Sequence, residues 1–232
     1  MKLFKIRGGV HPDDRKRLAS EQPIETLPLP DLLHIPLQQH IGAPASRAVR
    51  RGQRVAKGDL LAHGQGVVSA PVHAPTSGRI MGVGQYPAHH ASGLSVPTIT
   101  LQPDGEDRWA DHIQGVADPF ALEPEAIAAR VAAAGIVGLG GATFPSAVKL
   151  DLRKRYAIHT LVINGAECEP YLTCDDRLMR EQSEAVIDGI RIMAQALGVT
   201  RIVIGSEHNK PEAQAAMALA ASIDPNIRIA RL

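Results

Sequence analysis

From Leu32 to Leu101 the apolar positions come in runs of two to five residues, cut off by Gly or Pro. Leu33-His-Ile35, Arg54-Val55, Asp59-Leu-Leu-Ala62, Gly66-Val-Val-Ser69, Gly78-Arg-Ile-Met81 and Thr98-Ile-Thr-Leu101 are such runs. Short strands between tight turns are predicted, hence a small all-β sandwich or barrel. Upstream, Pro12, Pro23, Pro28 and Pro30 interrupt any helical period and Gly8-Gly9 opens a turn, so residues 1–30 read as irregular.

Past residue 103 the period changes. Gln102-Pro-Asp-Gly-Glu-Asp107 reads as a charged, turn-rich linker, which divides the chain into an irregular segment 1–25, a sandwich 26–102 and a third part 103–232. Glu123 to Gly135 reads as a helix with Pro124 in its first turn and Gly135 as its stop. Thr160–Asn164, Arg201–Gly205 and Ile227–Leu232 read as buried strands. Between them, Arg180–Gly198 places Val186, Ile190, Met193 and Leu197 on one helix face, and Pro211–Ala221 forms an Ala-rich helix. The alternation predicts a parallel α/β sheet with right-handed crossovers. A parallel sheet needs both faces covered, so a third strand only begun at Leu232 predicts that this is part of a longer protein.

Composition narrows the function. Lys+Arg 25 against Asp+Glu 24 gives a charge of +1, and aromatics are 3% of 232 residues. Neither a phosphate-neutralising surface nor a base-stacking platform fits, so no nucleic-acid partner is expected. The N-terminus lacks the apolar run of a signal peptide, and the uncharged stretch Val131–Val148 carries Gly135, Gly138, Gly140, Gly141 and Pro145. A cytoplasmic chain without direct membrane insertion is expected, reaching a membrane only through a partner. Two cysteines, Cys168 and Cys174, are too few for a disulfide scaffold or to hold a four-iron cluster unaided, and their spacing, neither Cys-x-x-Cys nor a cluster run, reads as buried or idle thiols rather than as a redox pair. No metal ligand set is expected: His34, His40, His63, His73, His89 and His90 read as surface histidines in loops.

Two motifs carry candidate chemistry. Gly138-Leu-Gly140-Gly141-Ala142-Thr-Phe144-Pro145-Ser-Ala-Val-Lys149 is a glycine-rich turn before a predicted helix, where Pro145 in the first turn would aim free N–H groups and Lys149 at an anion. It fits neither the dinucleotide fingerprint nor the P-loop; as a bare pattern it is a structural turn or an anion cradle. Asn164-Gly-Ala-Glu167-Cys-Glu169-Pro-Tyr171 follows the first predicted strand of the α/β part, at the end where such sheets bind ligands. Asn164, Glu167 and Glu169 there read as acceptors for ligand hydroxyls, or the glutamates as solvated loop charges.

Val49-x-x-Gly52-x-x-Val55-x-x-Gly58 and Ala74-Pro75-Thr-Ser77-Gly78-Arg-Ile80 resemble the barrel-sandwich hybrid of biotinyl and lipoyl carrier domains. No lysine lies between Gly64 and Arg79 to carry a prosthetic arm, so a structural or docking sandwich is expected. The glycine loop and the Asn-Glu-Glu motif together resemble the flavin- and NADH-binding subunit of respiratory complex I. With Phe4-x-x-x-Gly8-Gly9-x-His11-Pro12, Ile35–Ala45 and Pro71–Gly78, the resemblance is closer to the C subunits of the Rnf ion-translocating ferredoxin:NAD oxidoreductases. That resemblance implies a biotinyl-like sandwich followed by an incomplete Rossmann-like flavin/NADH domain, in a peripheral electron-transfer subunit on the cytoplasmic side of a bacterial inner membrane. Its partners would be other subunits of the complex and a ferredoxin-type carrier.

By the same resemblance, Gly138, Gly140, Gly141 and Ala142 would cradle flavin mononucleotide (FMN), and Lys149 would neutralise its phosphate or the reduced ring. Asn164 would bond the flavin, Phe144 would stack near the nicotinamide or adenine, and Glu167 and Glu169 would line the NADH side. Ala166 departs from complex I, which commonly has an acidic residue there. The site would be a half-site for FMN and NAD(H), with 4Fe-4S clusters expected beyond Leu232 and the 232 residues alone inactive. The rival readings are a docking or scaffold subunit with a degenerate nucleotide site and, fitting the motifs less well, a quinone-reductase subunit of the sodium-pumping type.

Overall fold

The computed structural model describes residues 10, 12–88 and 91–232. The Gly8-Gly9 turn, the remaining motif residues Phe4 and His11, and the His89-His90 pair lie outside these. The chain forms two compact units, Leu27–Leu152 and a second made of Met1–Thr26 with Arg153–Leu232. The division expected at 102/103 falls inside the first unit, and the N-terminal segment belongs with the α/β part.

In the first unit, strands β1 (Leu33–Pro36), β3 (Arg54–Val55), β6 (Gly78–Pro87) and β7 (Ser95–Pro103) make an antiparallel sheet in the order β1-β7-β6-β3. β2 (Ser46–Arg47), β4 (Leu60–His63) and β5 (Val72–His73) make a second sheet, order β2-β4-β5. Alternation along β6 buries Gly78 and Ile80 and leaves Arg79 and Met81 outside. Ile35, Val55, Leu61, Val72, Ile80, Ile99 and Leu101 form one aliphatic core, as expected of a chain so poor in rings. The expected all-β part is therefore present, two-sheeted.

The charged segment read as a linker is instead bound to the sandwich. Ser77 Oγ donates to Asp104 at 2.7 Å, and Thr76 Oγ1 and Lys57 Nζ each donate to Asp107 at 2.8 Å. Lys57 N–H to Arg108 O and Ala110 N–H to Lys57 O extend the hold. Local composition shows that a segment turns and is polar, but not that its carboxylates have hydroxyl partners some thirty residues upstream. The histidines also differ from the loop reading. His34, His63 and His73 lie in strands, and His40 is buried, its Nε2 accepting the Ala70 N–H at 3.1 Å. Helix α1 (Pro124–Ala133) closes at Gly135, φ 68°, as expected.

In the second unit, β8 (Thr160–Gly165), β9 (Arg201–Ser206) and β10 (Ile227–Arg231) form a parallel sheet in sequence order. Helices α3 (Cys174–Glu181), α4 (Ser183–Leu197) and α5 (Pro211–Ala220) complete it. The single helix expected over 180–198 is α4, preceded by α3 with a break at Gln182. The face buried most deeply is Ile187, Ile190 and Ala194, with Val186, Met193 and Leu197 flanking it. Gly198 at φ 67° ends α4, donating to Gln195 O at 3.2 Å while Val199 N–H reaches Ala194 O at 3.1 Å. Among the described residues no helix is long and apolar enough to cross a membrane.

Candidate functional site

The predicted site residues fall in two loops, one in each unit. The glycine loop runs from Val137 to Pro145, which pair as an antiparallel bridge. Gly138 N–H donates to Phe144 O at 2.9 Å, Thr143 N–H to Gly140 O at 3.0 Å, and Ser146 N–H to Ile136 O at 2.9 Å. The loop is thus a hairpin closed by its own backbone, with Gly140 and Gly141 exposed at the tip. Helix α2 (Ser146–Leu150) follows, and Pro145 stands just before it rather than in its first turn. Lys149 is exposed, its Nζ 5.9 Å from the centre of the half-buried Phe144 ring.

The glycines at the tip of this loop differ from those that packing requires. A Cβ on Gly42, Gly78 or Gly135 would run into backbone carbonyl oxygens of Val68, Gln102 or Pro71, so the fold itself requires them. A Cβ on Gly140 or Gly141 would meet nothing within 4 Å, and neither has a positive φ. Their lack of side chains leaves an open, side-chain-free backbone, the surface a phosphate or flat ring can approach closely. Thr143 next to them adopts φ 41°, a left-handed conformation unusual for a β-branched residue.

The second loop leaves the carboxyl end of β8. Asn164 is exposed and its Oδ1 accepts the Ala166 N–H at 3.1 Å. Gly165 is a packing glycine: its absent side chain makes room for Met179 of α3 and for the Gly205 carbonyl of β9. Glu169 and Cys168 are exposed. Glu167 turns the other way, in contrast to the expectation that it lines the NADH side. Its backbone is left-handed, φ 50°, and its side chain is 2% exposed. Oε1 accepts the Asp175 N–H at 2.6 Å, capping the first turn of α3, and Oε2 lies 3.8 Å from Lys16 Nζ. It is therefore not a solvated loop charge either.

Two lysines that the sequence did not single out stand behind this loop, Lys16 and Lys210, both buried. Their carbonyl partners in this loop lie 151, 153 and 156 residues from Lys16 and 43 and 44 residues from Lys210, and no local pattern marks such pairs. Both cysteines are free and exposed. Cys174 Sγ comes close to carboxylate oxygens of Glu167 and Asp175, but Glu167 already serves an ammonium and an amide there. The Cys174 thiol is pushed up from its ordinary value by partial burial first, then by the Asp175 and Glu167 carboxylates.

Comparison with known proteins agrees with this layout. The family described as "RnfC Barrel sandwich hybrid domain" matches residues 4–106, and "Nuo51 FMN-binding domain" matches residues 131–232. The C subunit of the ion-translocating oxidoreductase complex of Rhodobacter capsulatus is 60% identical over 217 residues, 94% of this chain and 42% of that protein. Its counterpart in Haemophilus influenzae is 45% identical over 230 residues, 98% of this chain and 34% of that protein. Among solved structures, the NAD+-reducing [NiFe]-hydrogenase in the H2-reduced state is 29% identical with a TM-score of 0.42, covering 49% of this chain and 22% of that one. The chain thus spans less than half the length of these relatives. Over the part it spans, the chain is similar to the C subunits of ion-translocating oxidoreductase complexes, with a match to a barrel-sandwich hybrid domain followed by a match to an FMN-binding domain.

Proposed function

We propose that this chain is the flavin- and NADH-handling part of an electron-transfer subunit in a membrane-associated, ion-translocating oxidoreductase complex. The observation that carries the reading is the tip of the glycine loop. Gly140 and Gly141 are glycines that the fold does not need, on a backbone left open to a ligand. The loop backbone of Gly138, Gly140, Gly141 and Ala142 takes the FMN, with Lys149 opposing phosphate or reduced-ring charge. Phe144 offers a ring face for the nicotinamide or adenine. Asn164 offers its amide to the flavin, and Glu169 faces the NADH side, while Glu167 serves the loop from within. Bound FMN supplies the change from a two-electron hydride to single electrons; the protein supplies placement and charge.

The sequential parallel order β8-β9-β10 is that of one half of a Rossmann-like sheet, which supports the finer fold assignment. The family matches end at 106 and resume at 131, which supports a functional division after the sandwich near residue 103. The relatives' greater length leaves room for the remaining cofactor contacts and for 4Fe-4S clusters outside these 232 residues. A ferredoxin-type carrier and a peripheral position on the cytoplasmic face of the inner membrane complete the proposal.

The test is flavin content in the full-length protein, purified anaerobically, with Gly141→Leu as the variant. Wild type is expected to hold about one FMN and to reduce an artificial acceptor from NADH. G141L is expected to lose most of the flavin while melting at the temperature of flavin-stripped wild type, since nothing lies within 4 Å of the new side chain's first carbon. A colourless wild type, or a fully flavinated G141L, would overturn the reading in favour of a docking scaffold.

A further inference from the structure

The loop after β8 holds two non-glycine residues in the left-handed region, Glu167 at φ 50° and Tyr171 at φ 70°. Such backbone persists only where its surroundings over-determine it. Here the determination comes from two buried ammonium groups. Lys16 Nζ donates to Glu167 O at 2.7 Å, Glu169 O at 3.0 Å and Leu172 O at 2.6 Å, which uses all three of its protons. Lys210 Nζ lies 2.6 Å from Ala166 O and 3.4 Å from Glu167 O, and is shared with Glu207 Oε2 and Asn209 Oδ1.

We propose that Lys16 and Lys210 are positioning residues that lock the Ala166–Leu172 loop so that Glu169 is presented outward to the nicotinamide nucleotide. Taking a charge out of water is costly, and a chain selected for stability alone does as well with packed apolar side chains. Two lysines buried against carbonyls of one loop therefore point to a demand on that loop's shape. Lys16 is itself held in place. Tyr171 N–H donates to Asp14 O at 2.8 Å, and Arg177 and Arg180 of α3 both donate to Ser20 O, at 3.2 and 3.1 Å. With its protons committed to the chain, Lys16 has none left for a ligand. Its effect on chemistry runs through Glu169, whose carbonyl it binds while the carboxylate stays exposed. A loop held before the ligand arrives needs no reordering on binding, which lowers KM without touching the reacting atoms.

The inference rests on the reading of this loop as the NADH side, and the experiment separates the two. Full-length protein is prepared as wild type, K16M, K210M and E169Q, and scored for flavin content, melting temperature, and KM and kcat for NADH with an artificial acceptor. K16M and K210M are each expected to raise KM about tenfold with flavin retained and kcat per flavin within about twofold. Deuterium exchange of peptides spanning 166–172 in wild type is expected to be at least about tenfold slower than in an unstructured peptide, and faster in either variant that folds. Wild-type KM in both lysine variants beside an impaired E169Q overturns the clamp. Loss of flavin, melting temperature and activity together overturns positioning in favour of a merely structural role. Unprotected exchange in wild type overturns the clamp even if neither variant folds. An unchanged KM in E169Q overturns the reading of the loop.

Discussion

Cys174 stands exposed at the first turn of α3, where a helix N-terminus ordinarily favours a thiolate. Partial burial and the Asp175 and Glu167 carboxylates outweigh it and keep the thiol protonated. At pH 8 Cys174 is expected to alkylate more slowly than cysteine in an unstructured peptide, and E167Q is expected to speed it. Mass-spectrometric labelling rates check this, and an equal or faster wild-type rate contradicts it. Asp107 is held below the ordinary 3.8 chiefly by Lys57 and Thr76, and Asp104 chiefly by Ser77 and the Glu106 amide. Each has a folded pKa below its unfolded one. Their stabilisation is therefore present above about 3.8 and is lost as pH falls through the folded values. Thermal melts should show D107N less stable than wild type at pH 7, with the gap closing toward pH 2.5; an unchanged gap contradicts the assignment. His73 is lowered from 6.5 by burial and then by His112, so its part of the stability erodes as pH falls below about 6.5.

The glycines differ in what packing asks of them. Gly78→Ala in β6 and Gly135→Ala after α1 put a Cβ into carbonyl oxygens, and Gly135 also has φ 68°. Each is expected to cost about 2–3 kcal/mol, whereas Gly140→Ala is expected to change stability by less than about 0.5 kcal/mol. Denaturant melts of the three variants check the contrast, and equal losses at Gly78 and Gly140 would remove the argument for an open cradle. At this scale much was legible in the sequence. The period of 3.6 in Arg180–Gly198 and the apolar runs at Thr160, Arg201 and Ile227 are set by which face each element buries, and they located α4, β8, β9 and β10. Helix α3 was not, because Cys-Asp-Asp-Arg-Leu-Met-Arg-Glu carries only two apolar residues besides its cysteine; its start is capped by Glu167 from another segment.

For the whole molecule, the succession of an all-β part and an α/β part was legible in the change of texture, although the division expected at 102/103 falls inside the first unit. The glycine loop was legible in its residue types: the backbone bonds that close its hairpin lie within eleven residues, Ile136 to Ser146. Long-range choices were not. Asn164 and Glu169 are exposed, but Glu167 points inward because Lys16, 151 residues earlier, and the Asp175 amide meet it there. The segment 102–107 looks like a linker until Ser77, Thr76 and Lys57 are brought beside its carboxylates. The sequence by itself determined the periodic elements, the motifs and the glycines that keep a backbone bare, since these depend on period, turn chemistry and residue type over short spans. Only the tertiary structure decided which charges are buried and which face a ligand, because an ammonium finds its carbonyls only after the strand and helices that carry them have packed.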